Sequence, residues 1–524
     1  MNPETCLQKI KQKIKPSWVT ILISVFLFGL PAHAYAFFNY IPNWDSVISY
    51  YSDQNTIHLG RCFLTLACGI SSYYDLSWVN GLLSLIYLSV TAVLICELLS
   101  IRKKSTLILL SALLVTFPAV TSTFGYLYTA DGYMLAMLCM TLAIYLTLTY
   151  RFGFLPGALL LMFGFGCYQA YITFAAMLVI VYSLNTLLHT QTPLPDLARK
   201  WLRALACAGI GYVLYTLVNR ILLSIQHATL TDYQGVSSLG SGFAPLSAAK
   251  QCLIDFVYFF TGPLHHMNLY SVLNLCMLAL LLTGALARIV RKKLWRSPAR
   301  LFFIVLFALL IPFVCYAIYF LTPDVSYHML MQGGLFFIYA LLLVLYDHAG
   351  SETTDSSCRA GDTPVQNHMH MRHGIVWQWL CVLVSALIVY NFILISNICY
   401  RTQETSVTRS LYEISRLADT IYAEGSLQEC GQIAVIGRRA GSSINSLNLP
   451  PDMTGFSDGV IMTHSLHYSL LLERYHGLSF TPAEENAEKA LAESAVVRDM
   501  PCYPAEGSVR AVSGTLVIKL SDTP

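Results

Sequence analysis

The sequence carries little charge. Asp, Glu, Lys and Arg make up 12% of its 524 residues, whereas soluble globular domains contain about 25%. The deficit lies in residues 1–397, where long apolar runs alternate with short polar stretches, while residues 398–524 have the composition of a soluble domain. This pattern excludes a purely soluble protein and predicts a membrane domain at 1–397 followed by a small soluble domain at 398–524.

Several motifs of nucleotide and metal chemistry are also absent. The chain has no Gly-x-x-x-x-Gly-Lys phosphate loop, no Asp-x-Asp pair, no Gly-x-Ser-x-Gly elbow and no Cys-x-x-Cys pair. Ionisable residues are scarce in the middle of the apolar runs. Since such residues mark ion and proton pathways, their scarcity argues against an ion-coupled transporter.

The apolar runs are long enough for transmembrane helices, which need about 20 residues to cross the hydrocarbon core. Helices are expected because unpaired backbone groups cannot face lipid. The sequence predicts about eleven spans. They lie at 17–39, 78–99, 105–124, 131–149, 155–167, 170–188, 203–223, 268–287, 301–321, 330–346 and 375–397.

The basic residues indicate an orientation, because Lys and Arg stay cytoplasmic in short loops. With the N-terminus inside, almost all of them fall on the inner side. The outer side before residue 398 holds only Arg61, Arg220 and Lys250. An odd number of crossings then places residues 398–524 outside the cytoplasm.

The C-terminal part contains both strand-like and helix-like patterns. Runs at Ile433–Ile436 and Thr515–Leu520 are strand-like, and Ala483–Val496 is helix-like. We therefore predict a small extracytoplasmic α/β domain. Cys430 and Cys502 would pair only in an oxidising compartment, and the sequence leaves that pairing open.

Polar and aromatic residues gather on the predicted outer side. Carboxylates, amides and tyrosines recur there in separate loops, and sugar sites use this mixture because aromatic rings stack on sugar rings while amides and carboxylates bind hydroxyls. Interfacial anchoring is the alternative for the tyrosines. The candidates for the sugar site are Tyr126, Tyr128, Asp131, Tyr168 and Gln169.

Two carboxylates in the first outer loop are candidates for a general base. Asp45 lies between apolar and aromatic residues, where partial burial raises a carboxyl pKa toward the range useful for catalysis. Asp53 is the alternative.

Arg61 is the single arginine of the first three outer loops, and such a cation suits a lipid phosphate. Lys250 has two interpretations, a second phosphate ligand or a lysine snorkelling from an amphipathic helix at 247–261.

The outer location restricts the sugar donor. Nucleotide sugars and ATP are made in the cytoplasm, so an enzyme acting outside needs a donor that has already crossed. Lipid-linked sugars meet this need, and their phosphate lies at the headgroup level, where Arg61 is predicted.

The arrangement resembles the bacterial membrane glucosyltransferases that modify O-antigen, the Gtr serotype-conversion family with a multispanning fold of the GT-C type. The motifs follow one another in order over most of the chain. They are Asp45 with Gly60-Arg61, Phe117-Pro118-Ala119 leading to Tyr126 and Asp131, Tyr168-Gln169-Ala170-Tyr171, Met500–Pro504 and Val517–Leu520.

The resemblance implies a polyprenyl-phosphate glucose donor, a lipid-linked or surface glycan acceptor and a multipass location in the bacterial inner membrane. It implies inverting transfer, with Asp45 as the base and with Arg61, helped by His58 or Lys250, at the leaving phosphate. The sugar pocket would comprise Tyr126, Tyr128, Asp131, Tyr168 and Gln169. Relatives with paired acids at the first position leave open whether Asp53 supplies a second carboxylate here.

No cofactor and no nucleic-acid partner are expected, although a phosphate site can recruit a divalent metal. Two other functions share the compartment. A lipid-linked glycan flippase should show internal repeats and a charged central cavity, and neither is evident in the sequence. An O-antigen polymerase should carry basic residues in two large outer loops, where this chain has few.

Overall fold

The computed structural model describes residues 2–231, 245–262, 268–322, 325–349, 364–438, 450, 453–456 and 459–522, with the side chains of 7, 10 and 364–373 left out. Helices dominate these ranges. The first half of the chain forms α1 Pro3–Lys13, α2 Pro16–Phe38, α3 Trp44–Ile48, α4 Leu64–Cys68, α5 Ser77–Leu98, α6 Lys104–Thr116, α7 Pro118–Phe124, α8 Leu127–Thr149, α9 Phe154–Cys167, α10 Ile172–His189, α11 Leu194–Ile225 and α12 Pro245–Thr261.

In the described ranges, the second half adds eight more α-helices and the four strands. It forms α13 Leu269–Arg291, α14 Pro298–Cys315, α15 Phe336–Ala349, α16 Pro364–Ala423, α17 Gly425–Gln428, β1 Gln432–Ile436, α18 Ser465–His476, β2 Thr481–Pro482, α19 Glu485–Glu493, α20 Ala495–Arg498, β3 Val509–Val512 and β4 Thr515–Lys519.

Eight helices of the described chain are long and apolar enough to cross a membrane, which is the architecture of a polytopic helical membrane protein. A ninth span is formed if α6 and α7, which meet at a bend of 43°, count as one. The two remaining predicted stretches coincide with the shorter apolar helices Phe154–Cys167 and Gly333–Ala349. The count of eleven crossings therefore stays a prediction.

The helical core is formed by six closely packed helices, α2, α5, α6, α8, α9 and α11. Small residues permit this close packing. A Cβ on Gly29 of α2 would lie 2.8 Å from Val115, and one on Gly211 of α11 would lie 2.9 Å from Leu161. Without a hydrophobic driving force between helices in lipid, such close approach is a main source of packing energy. His33, fully buried in α2, joins this core through Tyr400 at 2.8 Å and the Val115 carbonyl at 2.8 Å.

Residues 39–76 connect α2 to α5 and carry most of the predicted catalytic residues. They form α3, α4 and two single turns of 3₁₀-helix, at Ile57–Leu59 and Gly69–Ser71. Two isolated β-bridges, Tyr51 with Tyr74 and Thr56 with Arg61, close the segment on itself. The segment is therefore a folded unit whose backbone positions are fixed.

The helix α16 is 60 residues long and joins the apolar helices to the C-terminal part. It contacts α2, α6, α7, α13 and α15 in its apolar section and α17 and α18 beyond. The predicted boundary after residue 397 lies inside this helix, and the division into two domains stays a prediction.

Four strands in the C-terminal part form one sheet in the order β2-β1-β4-β3. The strand β1 pairs in parallel with β2 and β4, and β3 pairs antiparallel with β4. The two strands predicted from the sequence correspond to β1 and β4. Cys430 and Cys502 are free thiols, so the disulfide left open above is not formed.

Candidate active site

Asp45 lies on α3, and the cap of this short helix fixes its position. The Asn43 side chain accepts hydrogen bonds from the Ser46 backbone N–H at 2.9 Å and from the Ser46 hydroxyl at 3.0 Å. The amide nitrogen of the same side chain donates to the Gly125 carbonyl at 2.9 Å and to the Gly455 carbonyl at 3.4 Å. One buried amide thus ties α3 to the turn before α8 and to the C-terminal part.

Arg61 lies against two stacked tyrosine rings. Its Nη1 donates to the Tyr133 hydroxyl at 2.9 Å, and the guanidinium lies 5.5 Å from the Tyr168 ring centroid and 5.9 Å from that of Tyr133. The two rings stack on each other at 4.6 Å. A planar guanidinium suits such stacking better than an ammonium does, so the site is built for arginine.

The backbone before Arg61 is held by Gln169 and Tyr215. Gln169 Nε2 donates to the Gly60 carbonyl at 2.9 Å, and the Tyr215 hydroxyl donates to the same oxygen at 2.9 Å. Gly60 has φ +75°, and a Cβ there would lie 2.6 Å from the Tyr215 hydroxyl. Gln169, predicted to bind sugar, thus uses its amide nitrogen to position the Arg61 loop.

Replacing Gly60 by alanine should destabilise the protein and lower its activity, because the new methyl group meets Tyr215 and Gln169 in a left-handed conformation. Strain at positive φ costs about 1–2 kcal/mol, and the clash adds about 1–3 kcal/mol. Thermal unfolding and activity should both be measured. Gly477→Ala is the matched control, because Gly477 has φ +69° with nothing within 4 Å of the new Cβ. Equal losses in both variants would show that only backbone strain matters.

Charges of two other residues act on Asp45. Burial raises the pKa of the Asp45 carboxyl, while the charges of Arg61 and His464 and a hydrogen bond with Trp44 act in the opposite direction. The charges of Asp45 and Arg61 also act on the Tyr128 hydroxyl. Asp45, Arg61 and Tyr128, which are far apart in sequence, therefore share one electrostatic environment.

The C-terminal part contributes two histidines beside α3. His467 Nδ1 accepts the Thr463 backbone N–H at 3.2 Å, which leaves the proton on Nε2 to donate to the Trp44 carbonyl at 2.9 Å. Burial lowers the pKa of His467 to about 4, so this histidine is neutral near pH 7. His464 stacks on it at 4.0 Å. His467 is thus a positioning residue for α3, and the charge of His464 acts on Asp45.

Residues Met453–Phe456 also contact the apolar helices. A Cβ on Gly455 would lie 2.9 Å from the Tyr126 ring, and Gly455 has φ +90°. The Thr454 N–H donates to the Ser122 hydroxyl at 3.4 Å, and the Phe456 ring lies 5.7 Å from that of Tyr400. This segment therefore packs directly against Tyr126, which is one of the predicted sugar-pocket residues.

Four predicted residues lie outside the Asp45–Arg61 environment or at its edge. Asp53 is exposed and accepts the Asn55 N–H at 3.0 Å, as in a local turn. His58 precedes the Arg61 loop, and its carbonyl accepts the Thr231 N–H at 2.9 Å. Lys250 is exposed on α12, which packs against α13 and α14.

Asp131 is the fourth of these residues. It is 1% exposed in α8 and lies beside Ser71 of the 3₁₀ turn rather than beside Arg61. Neither of its carboxylate oxygens has a hydrogen-bond partner of standard geometry among the described residues. A role for Asp131 in the sugar pocket would require contact with a substrate hydroxyl from this position.

Three residues of the site were missed from the sequence. Tyr133, the partner of Arg61, falls inside a predicted span and has no motif of its own. His467 belongs to α18, which corresponds to no helix predicted from the sequence, and His464 directly precedes that helix. Their position beside Asp45 depends on contacts between residues about 420 positions apart, such as that of His467 with Trp44, which no local pattern reports.

No cluster of three or more metal-ligating side chains occurs in the described ranges. A protein-family model described as "Glucosyl transferase GtrII" matches residues 34–345. No curated protein and no solved structure matches the chain. The matched range contains Asp45, Arg61, Tyr128 and Tyr168, and it ends before α16, so His464 and His467 lie outside it.

Proposed function

The chain belongs to the GtrII glucosyl transferase family, and we propose that it moves glucose from a polyprenyl-phosphate donor to a lipid-linked or surface glycan such as O-antigen. Family membership makes it a glucosyltransferase, and its apolar helices make it a membrane protein. One observation carries the finer proposal: an acid with a raised pKa and a ring-stacked arginine act on each other within the segment that joins α2 to α5.

The reaction that these groups support is a single displacement with inversion. An acceptor hydroxyl attacks the anomeric carbon of the donor glucose, and Asp45 takes the proton of that hydroxyl. The bond between the anomeric carbon and the phosphate oxygen breaks. The polyprenyl phosphate leaves with the bonding electrons, and the Arg61 guanidinium stabilises the negative charge on it.

The choice of a lipid donor is supported by charge and position. Arginine binds phosphate through two parallel hydrogen bonds, and the charge of Arg61 acts on Asp45, the proposed base. The chain lacks the motifs of nucleotide-sugar enzymes. The distribution of basic residues supports a cytoplasmic N-terminus and a periplasmic face for residues 39–76 in the bacterial inner membrane.

The remaining residues have supporting roles in this proposal. Tyr128 and Tyr168 line the sugar pocket next to Arg61, with Tyr126 held by Gly455 at its edge. Gln169 acts through the backbone of Gly60. His58 and Lys250 are secondary candidates for the phosphate, and Asp53 is the secondary candidate for the base.

A donor comparison tests the proposal. The purified protein in detergent is given radiolabelled polyprenyl-phosphate glucose or radiolabelled UDP-glucose, with O-antigen polysaccharide as acceptor. Transfer from the lipid donor alone is expected. Transfer from UDP-glucose in the absence of any lipid carrier would contradict the proposed donor and the predicted side of the membrane.

The pH dependence of transfer should report the environment of Asp45. A general base is active when deprotonated, and burial raises the pKa of this carboxyl, so activity should fall on acidification with a midpoint above the ordinary value of 3.8. His464→Ala should move this midpoint to higher pH, because the His464 charge lowers the Asp45 pKa. His476→Ala, a change at the histidine that ends α18, is the control. An unchanged midpoint in His464→Ala would show that the His464 charge does not act on the catalytic base.

A further inference from the structure

Four tyrosine side chains of residues 39–76 form a row beside α3. Ring centroids are 6.3 Å apart for Tyr40 and Tyr50, 6.2 Å for Tyr50 and Tyr74, and 4.7 Å for Tyr51 and Tyr74. Their exposed fractions are 36%, 44%, 46% and 59% for Tyr40, Tyr50, Tyr74 and Tyr51. The backbone bridge between Tyr51 and Tyr74 fixes the spacing. We call these four residues the tyrosine row.

An acid and an arginine with incomplete hydrogen bonding adjoin the row. Asp75 is 8% exposed, and its Oδ1 has no hydrogen-bond partner of standard geometry in the described part of the chain, although the Ser77 side chain and the charge of Arg474 both act on this carboxyl. The Arg474 guanidinium of α18 lies 4.3 Å from the Tyr50 ring centroid, and its Nη2 donates to the Val47 carbonyl at 3.2 Å. Its Nη1 is buried without a partner among the same residues. The charges of both residues act on the Tyr40 hydroxyl.

These unsatisfied groups indicate the chemistry of a ligand. A buried polar atom without a hydrogen bond is costly, and a ligand that donates to Asp75 and accepts from Arg474 would remove both costs. Hydroxyl groups on neighbouring carbons of a sugar ring do both at once, and the apolar C–H face of the same ring stacks on tyrosine.

We propose that the tyrosine row, together with Asp75 and Arg474, binds the acceptor glycan. The proposal rests on the proposed function and adds the place where the acceptor is held. Arg474 bonds to Val47 of α3, the helix that carries Asp45. The row and the proposed base are therefore both attached to this one short helix.

Membrane anchoring is the other explanation for exposed tyrosines near helix ends. An anchor needs an apolar ring and one polar hydroxyl, and it gains nothing from a buried carboxylate with an unpaired oxygen or from a guanidinium with an unpaired nitrogen. Lipid chains would satisfy neither atom. The charge of Arg474 acts on Asp75, and this combination of an acid and a guanidinium from two distant parts of the chain therefore favours a glycan.

Kinetics with two substrates test the proposal. Transfer from polyprenyl-phosphate glucose is measured against O-antigen polysaccharide freed from its lipid by mild acid. Tyr74→Ala should raise the KM for the polysaccharide by about fivefold to tenfold, as expected for the loss of one ring contact. Asp75→Asn should raise it by about tenfold or more. The KM for the donor should be unchanged in both.

The control is Tyr150→Ala. Tyr150 is 55% exposed and directly follows the C-terminal end of α8, outside the tyrosine row. Unchanged acceptor KM values in Tyr74→Ala and Asp75→Asn, with an active wild type, would overturn the proposal. So would equal losses of folded protein in Tyr74→Ala and Tyr150→Ala without any change in KM, which would identify anchors. Binding of the fluorescently labelled polysaccharide is also measured without donor. This measurement tests glycan binding at the tyrosine row even if the wild type transfers no glucose and the proposed function fails.

Discussion

Replacing Asp45 by asparagine is expected to lower glucosyl transfer by about 10²–10⁴-fold, the usual contribution of a general base. Asparagine keeps the size of the side chain and cannot accept the proton of the acceptor hydroxyl. Because the loss concerns the chemical step, kcat should fall while the KM values for donor and acceptor stay near those of the wild type. Initial rates in detergent, at matched amounts of folded protein, would measure it.

Asp53→Asn is the matched control for this experiment. Asp53 lies eight positions further along the same segment, is exposed, and accepts a local hydrogen bond from Asn55. Its replacement should change kcat little. The reverse pattern, a large loss in Asp53→Asn with an active Asp45→Asn, would transfer the role of base to Asp53, the alternative that the sequence leaves open.

Replacing Arg61 by glutamine should lower kcat by about 10²–10³-fold, as the loss of one donor to a developing negative charge does elsewhere. The guanidinium is held by the Tyr133 hydroxyl and lies near the Tyr168 ring, so its position is prepared before the donor binds. Arg61→Lys should recover only part of the activity, because an ammonium cannot bind phosphate through two parallel hydrogen bonds or stack in the same way.

Lys250→Gln distinguishes the two cations of this prediction. Lys250 is exposed on α12, whereas Arg61 shares the environment of Asp45. A near-normal kcat in Lys250→Gln beside a large loss in Arg61→Gln is expected. A larger loss in Lys250→Gln would show that the phosphate lies against α12, and the arrangement proposed for the donor would be wrong.

The long apolar helices were predictable because the membrane imposes both their length and their hydrogen bonding. The first span, predicted at 17–39, is Pro16–Phe38 in the structure. The third, predicted as one helix at 105–124, is two helices that meet at Pro118. Pro118 lacks an N–H and its ring clashes with the preceding turn, so a local signal for this break was present in the sequence.

Boundaries next to polar residues were less accurate. The helix α8 begins at Leu127, four residues before the predicted start at 131, so Tyr128 and Thr129 are helical although they are polar. In the C-terminal part, the helix predicted at Ala483–Val496 is two helices separated by Ser494, whose hydroxyl accepts the Val497 N–H at 3.3 Å and caps the second. Serine at this position is a recognised start signal.

The candidate site was predicted in part. The grouping of Asp45 with Arg61 follows from their place in one short segment, and the structure brings their charges together. The positions of Asp131 and Gln169 could not be predicted, because the direction of a side chain around a helix or turn depends on which neighbours pack against it. The contributions of His467 and Arg474 required the fold of the whole chain, since α18 contacts α3 across more than 400 residues.

The unbroken course of α16 has a consequence for any change in its length. An α-helix advances about 1.5 Å and turns about 100° with each residue. Inserting one amino acid near Arg401 would therefore swing α18 around the helix axis and separate Arg474 and His467 from the carbonyls of Val47 and Trp44. A four-residue insertion would nearly restore the angle but displace both by about 6 Å along the axis. Hybrid proteins that exchange the C-terminal part must therefore join at matching positions of this helix, counted to the single residue.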